Sequence, residues 1–447
     1  MTQSAAQSPS SVAEAARAAR AASRELVRLR ADVRNAALQA VAQHYQQNSD
    51  RILAANAEDC AAAAELVKAG KMSAAMFSRL CVTKQTISDM AERLREVASL
   101  PDPLGRRLSA TELDEGLTLY KETCPLGVIA VIFESRPDVV PQVASLAVKS
   151  GNAILLKGGT EASHTNECLV ALWKEALRDF PMIPTESLHL LQARGDVMEL
   201  LHLQRDIDLI IPRGGREFVE FIARNSRVPV LGHGEGICHV YVDQFADLDK
   251  ALAITVDSKV QYPAACNAAE TLLVHQAAAN KFLPLAIAKL RELGVEVRGC
   301  PRVMEIVPTA SIRPASEEDW STEYGDLVLS VKVVNDLDEA LEHIQKYGSA
   351  HTEAIVTEDL AVASRFLEEV DAAGVYHNAS TRFGDGYRYG LGSEIGISTS
   401  KLHARGPMGL EGLTTYKYKL VGNGHVVATY TRGERKFRHR PLPTEKP

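Results

Sequence analysis

The stretch VIAVIFESRPDVVPQVASLAVKSGNAILLK, residues 128–157, decides the fold. VIAVIF (128–133) is a short, unbroken apolar run, as expected of a strand buried on both faces. VVPQVASLAVKSG (139–151) has helical spacing and closes on Gly151, and AILLK (153–157) is a second apolar strand. Strand, helix and strand in immediate succession make a βαβ unit, which requires a parallel sheet.

The alternation continues on the C-terminal side. EASHTNECLVALWKEAL (161–177) reads as a helix, and LHLLQ, DVMELLHLQ, IDLII, REFVEFIARN and VPVL carry strand and helix onward to Leu231. This predicts a doubly wound parallel sheet. ICHVYVD (237–243) starts a second series: a helix near 247–260, the strand ETLLVH, a helix after Ala277, then VEVRG, LVLSVKVV, DEALEHIQKYG, EAIVTED and a helix over 359–370. A second α/β domain follows from it.

Before the deciding stretch, Val12 to Leu100 is helical in pattern and ends at the break LPDPLGR (100–106). LTLYKE (117–122) alternates as a strand. GLTTYKYKLVGNGHVVATYTR, near the end, alternates as a hairpin turning on Gly-Asn-Gly. That segment has little core of its own, so its strands need a partner sheet. LTLYKE can supply one in this chain or in another subunit, and extension of the sheet across a dimer is the preferred arrangement.

The chain has 447 residues, 46% hydrophobic and 24% charged, which suits a globular protein of two or three domains. A net charge of −7 argues against a nucleic-acid partner, and no apolar run approaches a membrane span. The seven cysteines are scattered without a CxxC pair, which points to reduced thiols in a cytoplasmic protein and to no bound metal. The polar start, MTQSAAQSPSS, reads as a frayed tail.

Six stretches carry chemistry. In QYPAACNAAETLLVH, Cys266 lies between a helix and a strand among small neighbours, with Asn267 beside it. Space around the sulfur and free backbone N–H groups are what a thiolate nucleophile with an oxyanion hole needs. A buried structural cysteine is the competing reading. In LLKGGTEASHT, Lys157 ends a strand and Gly158 follows, which suits a ribose or phosphate at a sheet crevice, or else a plain surface turn. In DLIIPRGGREF, Arg213, Gly214 and Gly215 open a helix in the manner of an anion site, though no GxGxxG is present. In VIFESRPDVVP, Ser135 is a candidate oxyanion donor and Arg136 a candidate anion ligand; a simple helix entry is the alternative. The Gly-rich loop 376–409 is too long for a linker, and Arg382 within it is assigned to an anionic substrate. His351, between a helix and a strand, is either structural or a substrate ligand.

Together these motifs resemble the gamma-glutamyl phosphate reductase family, the acyl-phosphate-reducing branch of the aldehyde dehydrogenase superfamily. CPLGVIAVIFESRPDV, LLKGGTEA, QYPAACNAAETLLVH, NDLDEALEHIQKYGSAHTEAI and NASTRFGDG through EIGISTSKLHARGPMGLEGLTTYKY carry the likeness, from about residue 15 to about 425. The resemblance implies an aldehyde-dehydrogenase-like α/β fold with two doubly wound Rossmann-like domains and a small β oligomerisation extension. The boundaries expected are a tail over 1–12, an NADPH-binding domain over 13–113 and 124–236, a catalytic domain over 237–412, and the extension over 114–123 and 413–432.

The reaction implied is NADPH-dependent reduction of L-glutamyl 5-phosphate to L-glutamate 5-semialdehyde and phosphate, in L-proline biosynthesis. Cys266 is then the nucleophile. Ser135 and Asn267 are grouped with it as catalytic, and Lys157, Gly158, Arg213, Gly214, Gly215 and Glu323 (in STEYGDLVL) lie on the cofactor. Arg136, Arg382 and His351 take the substrate. A homodimer or homotetramer and a contact with glutamate 5-kinase are further implications. LGHGEGICH places no obvious water-activating glutamate where hydrolytic relatives carry one, because Glu235 is out of register, and this fits reduction. Glu161, close to Lys157, is in tension with the 2′-phosphate of NADPH. The competing functions are a cysteine-dependent dehydrogenase that oxidises an aldehyde to the acid, and a non-catalytic protein that retains the fold.

Overall fold

The computed structural model describes residues 11–192, 195–232, 234–308 and 312–445. The tail expected over 1–12 falls mostly outside that range, as does His233 of the LGHGEGICH motif.

The deciding stretch folds as its pattern predicts. Val128–Phe133 and Ala153–Lys157 are adjacent parallel strands, every residue of both is buried, and Val139–Lys149 is the helix between them. Leu188–Leu191 and Leu209–Arg213 flank them to give a four-stranded parallel sheet. VPVL does not become a strand of its own: only Val230 bridges to Ile210, because Pro229 has no N–H to continue a ladder. Helices cover both faces. Ala15, Ala16 and Ala19 of Val12–Leu26 are buried, and these small side chains let that helix lie close against the strands.

The second series forms a seven-stranded, wholly parallel sheet in the order Ile312–Pro314, Glu296–Gly299, Val328–Val334, Ala269–His275, Cys238–Val242, Thr352–Val356, Gly374–His377. Ala269–His275, just after Cys266, is buried throughout and sits at its centre. The nucleophile candidate is therefore carried at the head of the central, fully buried strand of this layer.

The third sheet corrects one expectation. Thr414–Val421 pairs antiparallel with Leu117–Pro125 of the same chain, Tyr418 opposite Lys121 and Tyr416 opposite Thr123. The hairpin across Gly-Asn-Gly does not form. After the turn comes the short helix Val427–Thr431, and Arg440–Leu442 later adds to the far edge of Arg107–Asp114. Asp114 explains the detour: its carboxylate accepts from Tyr430 Oη at 3.0 Å and from Arg435 Nε at 2.7 Å, which holds the returning chain against the sheet. Thr415 to Val421 remain exposed along the outer edge. No helix among the described residues is long and apolar enough to cross a membrane.

Candidate active site

Cys266 occupies a turn between Leu248–Val260 and Ala269–His275, and its side chain is partly exposed. The turn is closed by Ala265 N–H to Tyr262 O (3.2 Å) and Ala268 N–H to Ala265 O (2.9 Å). Behind it there is no space: a Cβ on Gly236 would overlap the Cys266 carbonyl, and Cys238 Sγ donates to the same oxygen at 3.3 Å. Asn267 is buried, and its Nδ2 donates to Gly384 O at 2.9 Å. Asn267 thus ties the cysteine turn to the Gly-rich loop, and its side-chain amide is turned to that loop.

Three guanidinium groups converge on this turn from separate elements. Arg382 is 7% exposed, donates from Nε to Gln261 Oε1 at 2.9 Å, and lies over the Tyr262 ring at 5.8 Å. Burial and the neighbouring Arg388 push its pKa down, while Asp385, Cys266 and Asp257 push it back up. Arg213, at the end of Leu209–Arg213, donates from Nη1 to Ile395 O at 2.9 Å. Burial and then Arg136 lower its pKa, and Glu394, Cys266 and Asp138 oppose them. Arg136 is raised, first by Asp138, to which Nη2 donates at 3.3 Å, with Tyr262 and Glu394 adding to this against burial. Cys266 is therefore close enough to Arg213 and Arg382 to favour their charged forms. Arg213 was expected on a cofactor; the structure places it in this cationic group.

The remaining predicted residues fall into two other groups. Ser135 is 2% exposed with φ at 41°, a conformation rare for a side-chain-bearing residue. Its N–H and Oγ both donate to Glu161 Oε1, at 2.7 and 2.8 Å. The hydroxyl expected to face the nucleophile is thus engaged by Glu161. Lys157 is 5% exposed and donates to Gly158 O at 2.7 Å. A side chain at Gly158 would collide with Asn166, and one at Gly159 with the Glu161 carboxylate. Beside them is a cavity of about 200 Å³ lined by Gly158, Thr160, Ser163, Asn166, Leu190 and Gln192. Gly214 faces Glu134, whose carboxyl is pushed up by burial and by Glu161; Gly215 caps Arg216–Asn225. Glu235 is paired with Arg216 at 2.5 Å.

Glu323 lies in the segment between Glu318–Ser321 and Val328–Val334, two residues before Gly325, whose N–H donates to Glu270 Oε1 at 3.3 Å. His351 is 1% exposed, with Nδ1 at 2.9 Å from Thr352 Oγ1 and 3.7 Å from Cys238 Sγ. It stands behind the Cys266 peptide, through Cys238, and does not line the open side.

The chain matches the model of the aldehyde dehydrogenase family over residues 1–313. It is 57% identical over 423 residues to a gamma-glutamyl phosphate reductase of Synechococcus sp. (strain JA-2-3B'a(2-13)), covering 94% of this chain and 92% of that one. The chain belongs to the gamma-glutamyl phosphate reductases of the aldehyde dehydrogenase family. A gamma-glutamyl phosphate reductase of Haloquadratum walsbyi is 50% identical over 441 residues, 98% of this chain and 96% of that one. The crystal structure of the Thermotoga maritima gamma-glutamyl phosphate reductase superposes with a TM-score of 0.88 at 42% identity, covering 93% of this chain and 99% of that one. The fold is accordingly aldehyde-dehydrogenase-like, with Rossmann-like α/β sheets and a β-sheet extension.

Within this family frame, several residues near the site had gone unassigned. Tyr262 and Gln261 stand in the quoted cysteine motif, but their contacts to Arg382 depend on a loop more than a hundred residues away. Glu394, whose Oε2 accepts from Gly386 N–H at 2.9 Å, holds the Gly-rich loop closed. Its place in SEIG carried no local signal.

Proposed function

We propose that this chain reduces L-glutamyl 5-phosphate to L-glutamate 5-semialdehyde and phosphate with NADPH, as an L-proline-biosynthetic enzyme of the cytoplasm. The observation that carries the reading is the half-open Cys266 turn under Arg136, Arg213 and Arg382. A dianionic phosphoryl group and a carboxylate are the groups such a cluster attracts.

The Cys266 thiolate attacks the acyl carbonyl, the carbon–oxygen bond to phosphate breaks, and a thioester forms. Phosphate leaves as an anion stabilised by the guanidinium cluster, so the step needs no separate general acid. The Cys266 backbone N–H is a candidate donor to the carbonyl oxygen as it gains charge. NADPH, when bound, supplies the hydride that takes the thioester to a thiohemiacetal. The thiohemiacetal carbon–sulfur bond then breaks, which frees the aldehyde and returns the thiolate. With Glu235 engaged by Arg216 there is no free carboxylate at that position to activate water against the thioester.

The glycine-bordered cavity beside Lys157, about 200 Å³, has the size for one end of a dinucleotide, a ribose or base, with the remainder lying outside it. Asn166 is buried with its Oδ1 unpartnered and faces the cavity, and Gly158 and Gly159 leave no room for side chains. Lys157, Gly158, Asn166, Gly214 and Gly215 are the residues that would hold it. Glu161 is drawn onto Ser135, which eases its conflict with a 2′-phosphate. The exposed outer edge of Thr414–Val421 supports assembly as a homodimer or homotetramer through the extension.

The test is the reverse reaction. Glutamate semialdehyde and NADP⁺ should turn over only with phosphate present; turnover independent of phosphate would point to the aldehyde-oxidising reading. Cys266→Ser should abolish turnover and leave NADPH binding intact, and retained turnover would falsify the mechanism.

A further inference from the structure

Two cysteines far from Cys266 in sequence meet two residues from Arg79, whose side chain reaches the Cys266 turn. Cys60 lies in the helix Ser49–Lys68, and Cys81 caps the short helix Ala74–Leu80. Both are partly exposed, and their Sγ atoms are 3.3 Å apart.

The buried Asn56 fixes this approach. Its Oδ1 accepts from Val82 N–H at 2.8 Å and from the Cys60 thiol at 3.4 Å, and its Nδ2 donates to Leu80 O at 2.9 Å. The chain on both sides of Cys81 is thereby hooked to the turn of helix that carries Cys60. Asp59, the next residue back, accepts from the N–H groups of His164 (3.2 Å) and Thr165 (2.8 Å), at the start of the helix that follows the Gly158–Gly159 turn. On the opposite side, Arg79 Nη2 donates to Ala264 O at 3.4 Å, two residues before Cys266. The sulfur pair is therefore linked on one side, through Asp59, to the helix after the Gly158–Gly159 turn, and on the other, through the Arg79 side chain, to the nucleophile's turn.

We propose that Cys60 and Cys81 form a thiol-modification site, which a low-molecular-weight disulfide of the glutathione class converts to an intramolecular disulfide that lowers turnover. The Cys81 thiolate attacks one sulfur of the external disulfide and releases the other as a thiol. The Cys60 sulfur, on losing its proton, attacks Cys81 and releases the second thiol. Two protein thiols are oxidised, one external disulfide is reduced to two thiols, and the two protons pass to the released thiols. Burial, then the Cys81 thiol beside it, pushes the Cys60 thiol up to about 12, so Cys60 is the poorer first attacker and takes the second, intramolecular step, where the 3.3 Å approach of the sulfurs works against its small thiolate fraction. Bond formation draws the sulfurs together by roughly 1 Å, to the normal S–S length. Through the Asn56 hooks that movement is passed to residues 80–82, and so to Arg79 and the carbonyl it holds.

The full-length protein is treated with oxidised glutathione, free thiols are alkylated, and peptides are mapped by mass spectrometry. A Cys60–Cys81 linked peptide, lost on treatment with dithiothreitol, is expected. Any reaction at Cys266 is common to all three proteins, so activity is compared with Cys60→Ser and Cys81→Ser treated identically. The wild type should lose about fivefold more reductase activity than either variant, the effect of a ~1 kcal/mol change at the transition state. Absence of the linked peptide overturns the site. A linked peptide with equal losses in wild type and variants overturns its coupling to the nucleophile's turn. The activity arm rests on the reaction proposed above and the peptide arm does not, so the two can fail separately.

Discussion

Lys259 and Glu270 form an ion pair sealed from solvent: Nζ lies 2.6 Å from Oε2, and the two side chains are 0% and 1% exposed. Lys259 belongs to the helix before Cys266 and Glu270 to the strand after it, so the pair staples both ends of the nucleophile's turn. Burial pushes the Glu270 carboxyl up to about 7 and lowers the lysine, each partly countered by the other. Glu270→Gln leaves a buried ammonium without its counterion and should cost about 3–5 kcal/mol in chemical denaturation. Replacing both residues with methionine and leucine should cost less than the single change. Equal losses in the two variants would show that the pair is not acting as a coupled unit.

Acid should reveal a second network. Asp319 accepts from Ser316 N–H (2.6 Å), Ser316 Oγ (2.9 Å), Tyr324 Oη (2.9 Å) and Arg298 (2.5 Å). Burial alone would raise its pKa, but these donors outweigh it and hold the carboxyl at about 2. The folded value lies below the ordinary one of about 3.9, so the stabilisation is complete above that pH and is lost as pH falls through about 2. Asp319→Asn should be less stable than wild type at pH 7 by on the order of 2 kcal/mol. The gap should narrow steadily in melts taken between pH 4 and pH 2; a constant gap would sink the assignment.

Ser135→Ala separates two roles for that hydroxyl. With Oγ donating to Glu161, its loss leaves the carboxylate held by the backbone N–H alone, and the loosened carboxylate should raise the KM for NADPH about fivefold, the worth of one ~1 kcal/mol hydrogen bond. An oxyanion donor would behave differently, depressing kcat by about 100-fold or more at unchanged KM. Steady-state kinetics with NADPH as the varied substrate decide between them.

Arg382→Lys keeps the charge and loses the planar fork that spans Gln261 and the Tyr262 ring. The KM for the acyl phosphate should rise about tenfold or more, with NADPH binding unchanged. An unaltered KM would remove Arg382 from the substrate's surroundings.

The fold was legible because its strands are buried on both faces. VIAVIF and AILLK are apolar at every position, and that run leaves few alternatives to a parallel sheet covered by helices. Cys266 was legible from its small neighbours and its place at a helix–strand junction. The contacts around it were not. Arg213 reads as part of a glycine turn, but its partner is the Ile395 carbonyl, brought in by a loop 182 residues later. Ser135 follows a strand as a donor should, and only the positive φ at that residue turns its hydroxyl toward Glu161. The hairpin at the C-terminal end failed for a similar reason. Thr414–Val421 is a strand as its alternating sequence predicts, but Asp114 recruits the chain beyond Gly424 into a helical return.

Gly236 sets a boundary on how this site can change. Any other residue there would drive a side chain into the Cys266 carbonyl, in a place where two pieces of backbone already touch. Selection for new substrates, in nature or in the laboratory, has no latitude on the rear of the nucleophile. Its raw material is the opposite wall, the loop 376–409, where residues such as Phe383 and Tyr387 stand open to solvent and can be exchanged without disturbing the thiol.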